Sequence, residues 1–216
     1  MTVSAALFDI DGTLVDSNFL HVDAWQRAFD EMGERVDAWR IHRSIGLDSA
    51  KLLRSLVGER DQDWDTNAKD LHSKLYRESA HRLRPFDRAA DLLRALSDRG
   101  VRVVLATSAP EDELELLLEV LDAGDAVHAT TSADDVEQAK PDPGILEVAL
   151  ERADVTPSQA IMFGDAVWDL KAAARAHVRS VGVLSGGTGG EELTDAGAFA
   201  VFDDAAGVLA GLDDIL

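Results

Sequence analysis

Six short apolar runs, at 3–7, 101–106, 126–131, 160–164, 180–184 and 198–202, divide this chain and set what it can become. Runs of that length, bounded by Gly, Pro and small polar residues, read as buried strands. From residue 86 onward they alternate with helical stretches at 88–99, from Pro110, at 144–153, at 167–176 and at 205–212. Strands that are apolar on both faces and separated by helices imply a parallel sheet with helices on both faces, an α/β fold.

One region breaks the alternation. Phe19, Val22, Trp25, Ala28, Phe29 and Met32 recur at three- and four-residue spacing and stop at Gly33, and further helical stretches follow at 37–44, 49–57 and 64–82. No strand-like run interrupts them. The expected organisation is therefore a core built from 1–15 and 85–216, with an all-helical insertion over 16–84 and Arg84-Pro85 as its hinge.

The strands end in polar residues of a consistent kind. Asp9 and Asp11 follow the first, Thr107 and Ser108 the second, and Asp165 and Asp169 the fourth, while Lys140 stands just before a helix in the stretch Ala139-Lys140-Pro141-Asp142-Pro143. In a parallel sheet these ends face one crevice, where ligands of open α/β sheets bind. Crowded carboxylates repel one another and titrate high unless a cation joins them. The chain has no cysteine, so any metal must be held by oxygen or imidazole, and an oxygen-only set suits Mg²⁺. Plainer readings exist for each residue: Asp-Gly turns at 9–13, a strand-end turn at Thr107, a solvated charge at Lys140 and helix capping by Asp165 and Asp169.

Charge and hydropathy narrow the partners. With 41 Asp+Glu against 21 Lys+Arg, a formal charge of −20, a broad basic face for nucleic acid is excluded. No apolar run approaches the ~20 residues that span a bilayer, and residues 1–6 lack the pattern of a secretion signal, so a cytoplasmic location without membrane association is expected.

Taken together and in order, these residues resemble the haloacid dehalogenase-like hydrolase superfamily, over essentially the whole chain. The signature DxDGTLxDS stands at 9–17, the second-motif threonine is Thr107, the KPDP lysine is Lys140, and the GDxxxD pair is Asp165 and Asp169. The resemblance implies a Rossmann-like core with a helical cap and a Mg²⁺-dependent phosphatase acting on a small phosphorylated metabolite, as a monomer or homodimer. It further implies that Asp9 is the nucleophile forming an aspartyl-phosphate and that Asp11 is the acid and base. Mg²⁺ would be held by Asp9, Asp165 and the backbone carbonyl of Asp11, with Asp169 behind them or reaching it through water. Thr107 and Lys140 would hold phosphoryl oxygens.

Asp11 argues against the superfamily's dehalogenases, which resemble this motif without a second aspartate. Asn18, His21 and Trp25 resemble the start of the β-phosphoglucomutase-like cap, where a histidine faces substrate; His21 as a surface residue of the helix is the competing reading. Around Gly46 only Arg43 is a candidate anchor for a second phosphate, with Ile45, Asp48 and Ser49 where mutases tend to carry lysine, serine and arginine. Phosphatase is thus preferred over phosphosugar mutase, and a catalytically idle binding protein is the third reading. Ser108, His21 and Arg43 are candidate substrate contacts. Trp168 reads as site border or packing, 185–190 as a flexible rim or connector, and Gly12 with Thr13 as turn residues. His177 stands where relatives often carry glycine.

Overall fold

The computed structural model describes residues 2–136 and 140–216, so Ala139 lies outside the described residues. The chain runs through β1 (Ala5–Phe8), then four helices, α1 (Asn18–Glu31), α2 (Ala38–His42), α3 (Ser49–Val57) and α4 (Gln62–Glu78). There follow α5 (Ala89–Asp98), β2 (Arg102–Ala106), α6 (Glu111–Leu121), β3 (Val127–Thr131) and α7 (Gly144–Arg152). The remainder comprises β4 (Ala160–Gly164), α8 (Val167–Arg175), β5 (Arg179–Val183), α9 (Gly190–Asp195), β6 (Ala198–Phe202), α10 (Ala205–Ala210) and α11 (Leu212–Ile215).

These elements form two compact units, one of residues 1–16 and 84–216, the other of residues 17–83. In the first, all six strands pair in parallel in the order β3-β2-β1-β4-β5-β6. The chain winds outward from β1 to β3, returns to lay β4 against the other side of β1, and winds outward again, which is the doubly wound Rossmann-like topology. The switch point falls between β1 and β4, and in open sheets of this kind ligands bind there, beyond the strand carboxyl ends.

Strand pleating divides the core. Ala5 and Leu7, Val104 and Ala106, and Ala160 and Met162 point to one face and pack with Ile145, Leu146 and Ala149 of α7 and Ala172 and Ala173 of α8. The alternate residues, among them Phe8, Leu105 and Phe163, are equally buried, and α5 packs on β2. Both faces are covered, which is why these strands are apolar throughout. Phe8 and Phe163 stack with centroids 4.5 Å apart directly beneath the carboxyl ends of β1 and β4. The two chain crossings at the edge of this unit are tied to each other: Asp16 donates its N–H to the Arg84 carbonyl and Phe86 to Leu14, each at 2.9 Å.

The helical unit is built on its own core of Val22, Trp25, Phe29, Ile41, Leu52, Leu53, Leu56 and Ala68. Val22, Trp25 and Phe29 are the positions whose helical spacing marks α1 as amphipathic, whereas Phe19, of the same spacing, is 60% exposed. Asp48 and Asp61 cap α3 and α4, accepting from the N–H of Lys51 at 2.8 Å and of Trp64 at 2.9 Å.

Two local expectations need correction. The stretch 185–190 is not all loop: Gly190 opens α9, a helix whose only buried side chain is Leu193. A single apolar residue carries no periodicity, and the helix is held because Leu193 seats against Gly182 of β5, where an added Cβ would meet its side chain at 3.0 Å. The closing helix is likewise two short ones, α10 and α11, separated at Gly211.

Candidate active site

The register of the sheet assembles the site. Phe8 of β1 pairs with Phe163 of β4, and Asp9 donates its N–H to the Phe163 carbonyl at 2.9 Å, so Asp9 leaves β1 beside the point where Asp165 leaves β4. On the other side Phe8 pairs with Leu105, which puts Thr107 at the adjoining end of β2. Gly12 turns the chain with φ +77°, in the left-handed region that favours glycine.

Asp169 folds back from the first turn of α8. Its Oδ2 accepts the Ala166 N–H at 3.1 Å, and its Cβ lies so near Gly164 that a Cβ there would come within 2.5 Å. Capping, the plainer reading of Asp169, is therefore part of what it does. Its other oxygen, Oδ1, lies 2.8 Å from the Lys140 ammonium. The same ammonium donates to Asp9 Oδ1 at 2.5 Å. Lys140 is 1% exposed, so it is not the solvated charge that its residue type suggests.

The electrostatics follow from this burial. Desolvation pushes the Asp9 carboxyl up to about 7; Lys140 opposes the rise, and Asp169 and Asp11 add to it. For Lys140, burial alone would favour the neutral amine, but Asp169 and Asp9 outweigh it and hold the group above the ordinary lysine range, fully charged. One lysine does not balance the four acids at 9, 11, 165 and 169. The donor chemistry fits a hard divalent cation: oxygens of Asp9, Asp165 and Asp169 all lie within 4.8 Å of one another. Both Asp169 oxygens already face donors, which makes Asp9 and Asp165 the better placed pair to hold it. The Asp11 side chain is not one of the three.

Residues 3–177 match the sequence profile of a hydrolase family, haloacid dehalogenase-like hydrolase. The chain belongs to that family. It is 33% identical over 214 residues to a phosphoglycolate phosphatase of Rhodospirillum rubrum, across 94% of this chain and 88% of that one. It is 27% identical over 202 residues to a phosphorylated carbohydrates phosphatase of Thermotoga maritima, across 92% and 94% of the two chains. A crystal structure of a hydrolase from Pseudomonas syringae superposes with a TM-score of 0.94 at 33% identity, covering 98% of this chain and 99% of that one.

Among haloacid dehalogenase-like hydrolases, then, this chain gathers Asp9, Asp165, Asp169 and Lys140 through side-chain contacts, and Asp11 acts on Asp9 electrostatically. Thr107 is buried and its Oγ1 accepts the Ala109 N–H at 3.0 Å. The Ser108 hydroxyl is buried and meets no hydrogen-bonding partner among the described residues. His21 and Arg43 belong to the helical unit. Arg43 is exposed just after α2, whereas His21 is buried inside the unit and not on its surface. The imidazole of His21 stacks on Tyr76 with centroids 3.9 Å apart, and its Nδ1 lies 3.1 Å from Nε2 of His72. Trp168 is half-buried, with the Lys171 ammonium 4.8 Å from its ring centroid.

Sequence reasoning missed two site residues. Thr13 is not merely a turn residue: its hydroxyl donates to Asp165 Oδ1 at 3.1 Å in a buried contact. Ser185, read as part of a rim or connector, donates to the Gly12 carbonyl at 2.7 Å. A hydroxyl next to Gly in a turn carries no local signal of a partner 152 residues away.

Proposed function

We propose that this phosphatase of small phosphate esters works by covalent catalysis on Asp9, the Rossmann-like unit being the catalytic core and the helical unit its cap domain. The observation that carries the reading is the Asp9 carboxylate at the switch point, paired with a buried, charged Lys140 and next to Asp165. An Asp9 oxygen attacks phosphorus in line with the ester oxygen, whose bond to phosphorus breaks as the aspartyl-phosphate forms. Asp11 gives its proton to the departing alkoxide, then takes one from the water that cleaves the acyl phosphate. Lys140 compensates the charge gathering on the phosphoryl oxygens, and Asp169, fixed by the Ala166 N–H, keeps the ammonium in place. The Thr107 and Ser108 hydroxyls stand at the end of β2 as donors for the phosphoryl group, and the orphaned Ser108 hydroxyl supports that use.

Asp9, Asp165 and the Asp11 carbonyl would hold a divalent cation, which we assign as Mg²⁺ from the all-oxygen donors. Bound there, it would neutralise phosphate charge and favour the ionised form of Asp9. The relatives named above act on phosphoglycolate and on phosphorylated carbohydrates, and a small phosphorylated metabolite of that kind is the substrate class proposed for this chain.

The expected result is Mg²⁺-dependent phosphate release from an aryl phosphate, reduced roughly 10³-fold or more in Asp9→Asn. Phosphate release that survives this substitution rejects Asp9 as nucleophile.

A further inference from the structure

The hydroxyl of Thr13 sits where neither the nucleophile nor the proton donor needs it. It is 2% exposed and donates to Asp165 Oδ1 at 3.1 Å, joining the loop after β1 to the end of β4. The loop that carries it is tightly wound: Ile10 accepts from the N–H groups of Thr13 at 3.2 Å, Leu14 at 2.9 Å and Val15 at 3.0 Å, and Gly12 donates to the Val15 carbonyl at 2.9 Å. From the far side Ser185, just past β5, holds the Gly12 carbonyl at 2.7 Å. The ends of three strands are thus joined through residues 12 and 13.

A carboxylate turns about its last torsion over a broad, two-fold well unless something fixes its plane. Beside Asp9 and Asp169, a rotating Asp165 would spread its charge over several orientations and present no defined oxygen to a cation. A neutral hydroxyl is suited to prevent this. It fixes one oxygen by donation and adds no charge that would compete with the cation, as a lysine in its place would.

We infer that Thr13 is a positioning residue that fixes the carboxylate plane of Asp165 and thereby sets the affinity of the site for its divalent cation, an inference that rests on the assignment of Asp165 as a cation ligand. Partners of this kind, one step behind a metal-holding carboxylate, typically influence affinity 10–100-fold.

The test is titration of the substrate-free protein with Mg²⁺ alone by calorimetry, alongside phosphate release as a function of Mg²⁺ concentration. Thr13→Val keeps the shape and removes the hydroxyl; it should raise the Mg²⁺ Kd about 10-fold or more, and its loss of turnover should be repaired by raising Mg²⁺. Thr13→Ser should bind within roughly threefold of the parent, since it retains the donor. Thr13→Ala removes the same hydroxyl without adding atoms and should behave as Thr13→Val, which covers failure of the valine variant to fold. A Kd in Thr13→Val or Thr13→Ala within twofold of the parent overturns the inference. So does a serine variant as weak as valine, which would mean that the methyl group matters and the hydroxyl does not. Asp165→Asn separates the two layers: if it binds Mg²⁺ like the parent, the ligand assignment itself fails, whereas a weak Asp165→Asn with an unaffected Thr13→Val overturns only the role of Thr13.

Discussion

Adding one methyl group at Gly164 tests how tightly the site is built. Gly164 ends β4, and a Cβ there would lie 2.5 Å from Asp169 Cβ and 2.7 Å from both Cγ and Oδ2. Optimal carbon contacts are about 3.5–4.0 Å, so the overlap is roughly 1 Å, and no rotamer relieves it because Asp169 Cβ is fixed to the helix backbone. Shortening Asp169 to alanine would leave the clash in place for the same reason. The first turn of α8 must therefore move off β4, at about 1–3 kcal/mol for overpacking, and Asp169 withdraws with it. Withdrawal also strips the Ala166 N–H of its acceptor and Lys140 of one counter-charge, adding about 1.5–3 kcal/mol for a charged hydrogen bond. Gly164→Ala should therefore lose roughly 2.5–6 kcal/mol and melt about 5–24 °C lower, with turnover down about 10²-fold from misplacement of Lys140. The assay is thermal unfolding by circular dichroism together with phosphate release. Gly190→Ala is the control, because its added Cβ would meet nothing closer than 3.6 Å. A Gly164→Ala protein that melts within 2 °C or so of the parent and turns over at the parental rate refutes the reasoning.

Two further predictions concern His72 and His177. Burial, and then the charge of His21, hold His72 well below its ordinary value of 6.5. The unfolded chain therefore binds the extra proton first as pH falls, so the helical unit keeps its full stability above about 6.5 and loses about 1.4 kcal/mol per pH unit below it. Asp9, titrating near 7 when folded, contributes with the opposite sign, so the comparison must be between the parent and His72→Gln. Unfolding followed by tryptophan fluorescence, which reports mainly on Trp25, Trp39 and Trp64 of that unit, should show a shallower acid loss in His72→Gln; equal slopes would reject the assignment. His177 is exposed and takes φ +58°, in the left-handed region. Glycine removes that strain without losing packing, so His177→Gly should stabilise by roughly 0.5–1 kcal/mol in denaturant unfolding, and destabilisation would show that the imidazole holds the helix end.

Much of the fold could be read locally. The six strands lie within a residue or two of the apolar runs, because a strand buried on both faces needs unbroken hydrophobicity, and α1 of the second unit follows the spacing of Val22, Trp25 and Phe29. Asp9 and Asp165 were legible as well, since each follows a strand directly. What escaped was whatever depended on a partner: α9 forms around one leucine that finds Gly182, and His21 is buried because His72 and Tyr76 of α4 receive it.

By itself, then, the sequence determined the elements, their order and the polar groups at the strand ends, because those are set by side chains a few residues apart. Only the tertiary structure decided that β4 lies against β1, and from that neighbour relation the rest follows. Asp165 comes to Asp9, Lys140 is drawn from solvent to a position between Asp9 and Asp169, and Thr13 reaches Asp165. These contacts join residues more than a hundred positions apart, except for the pair Lys140 and Asp169, and their energies exist only once the sheet has brought the strand ends together.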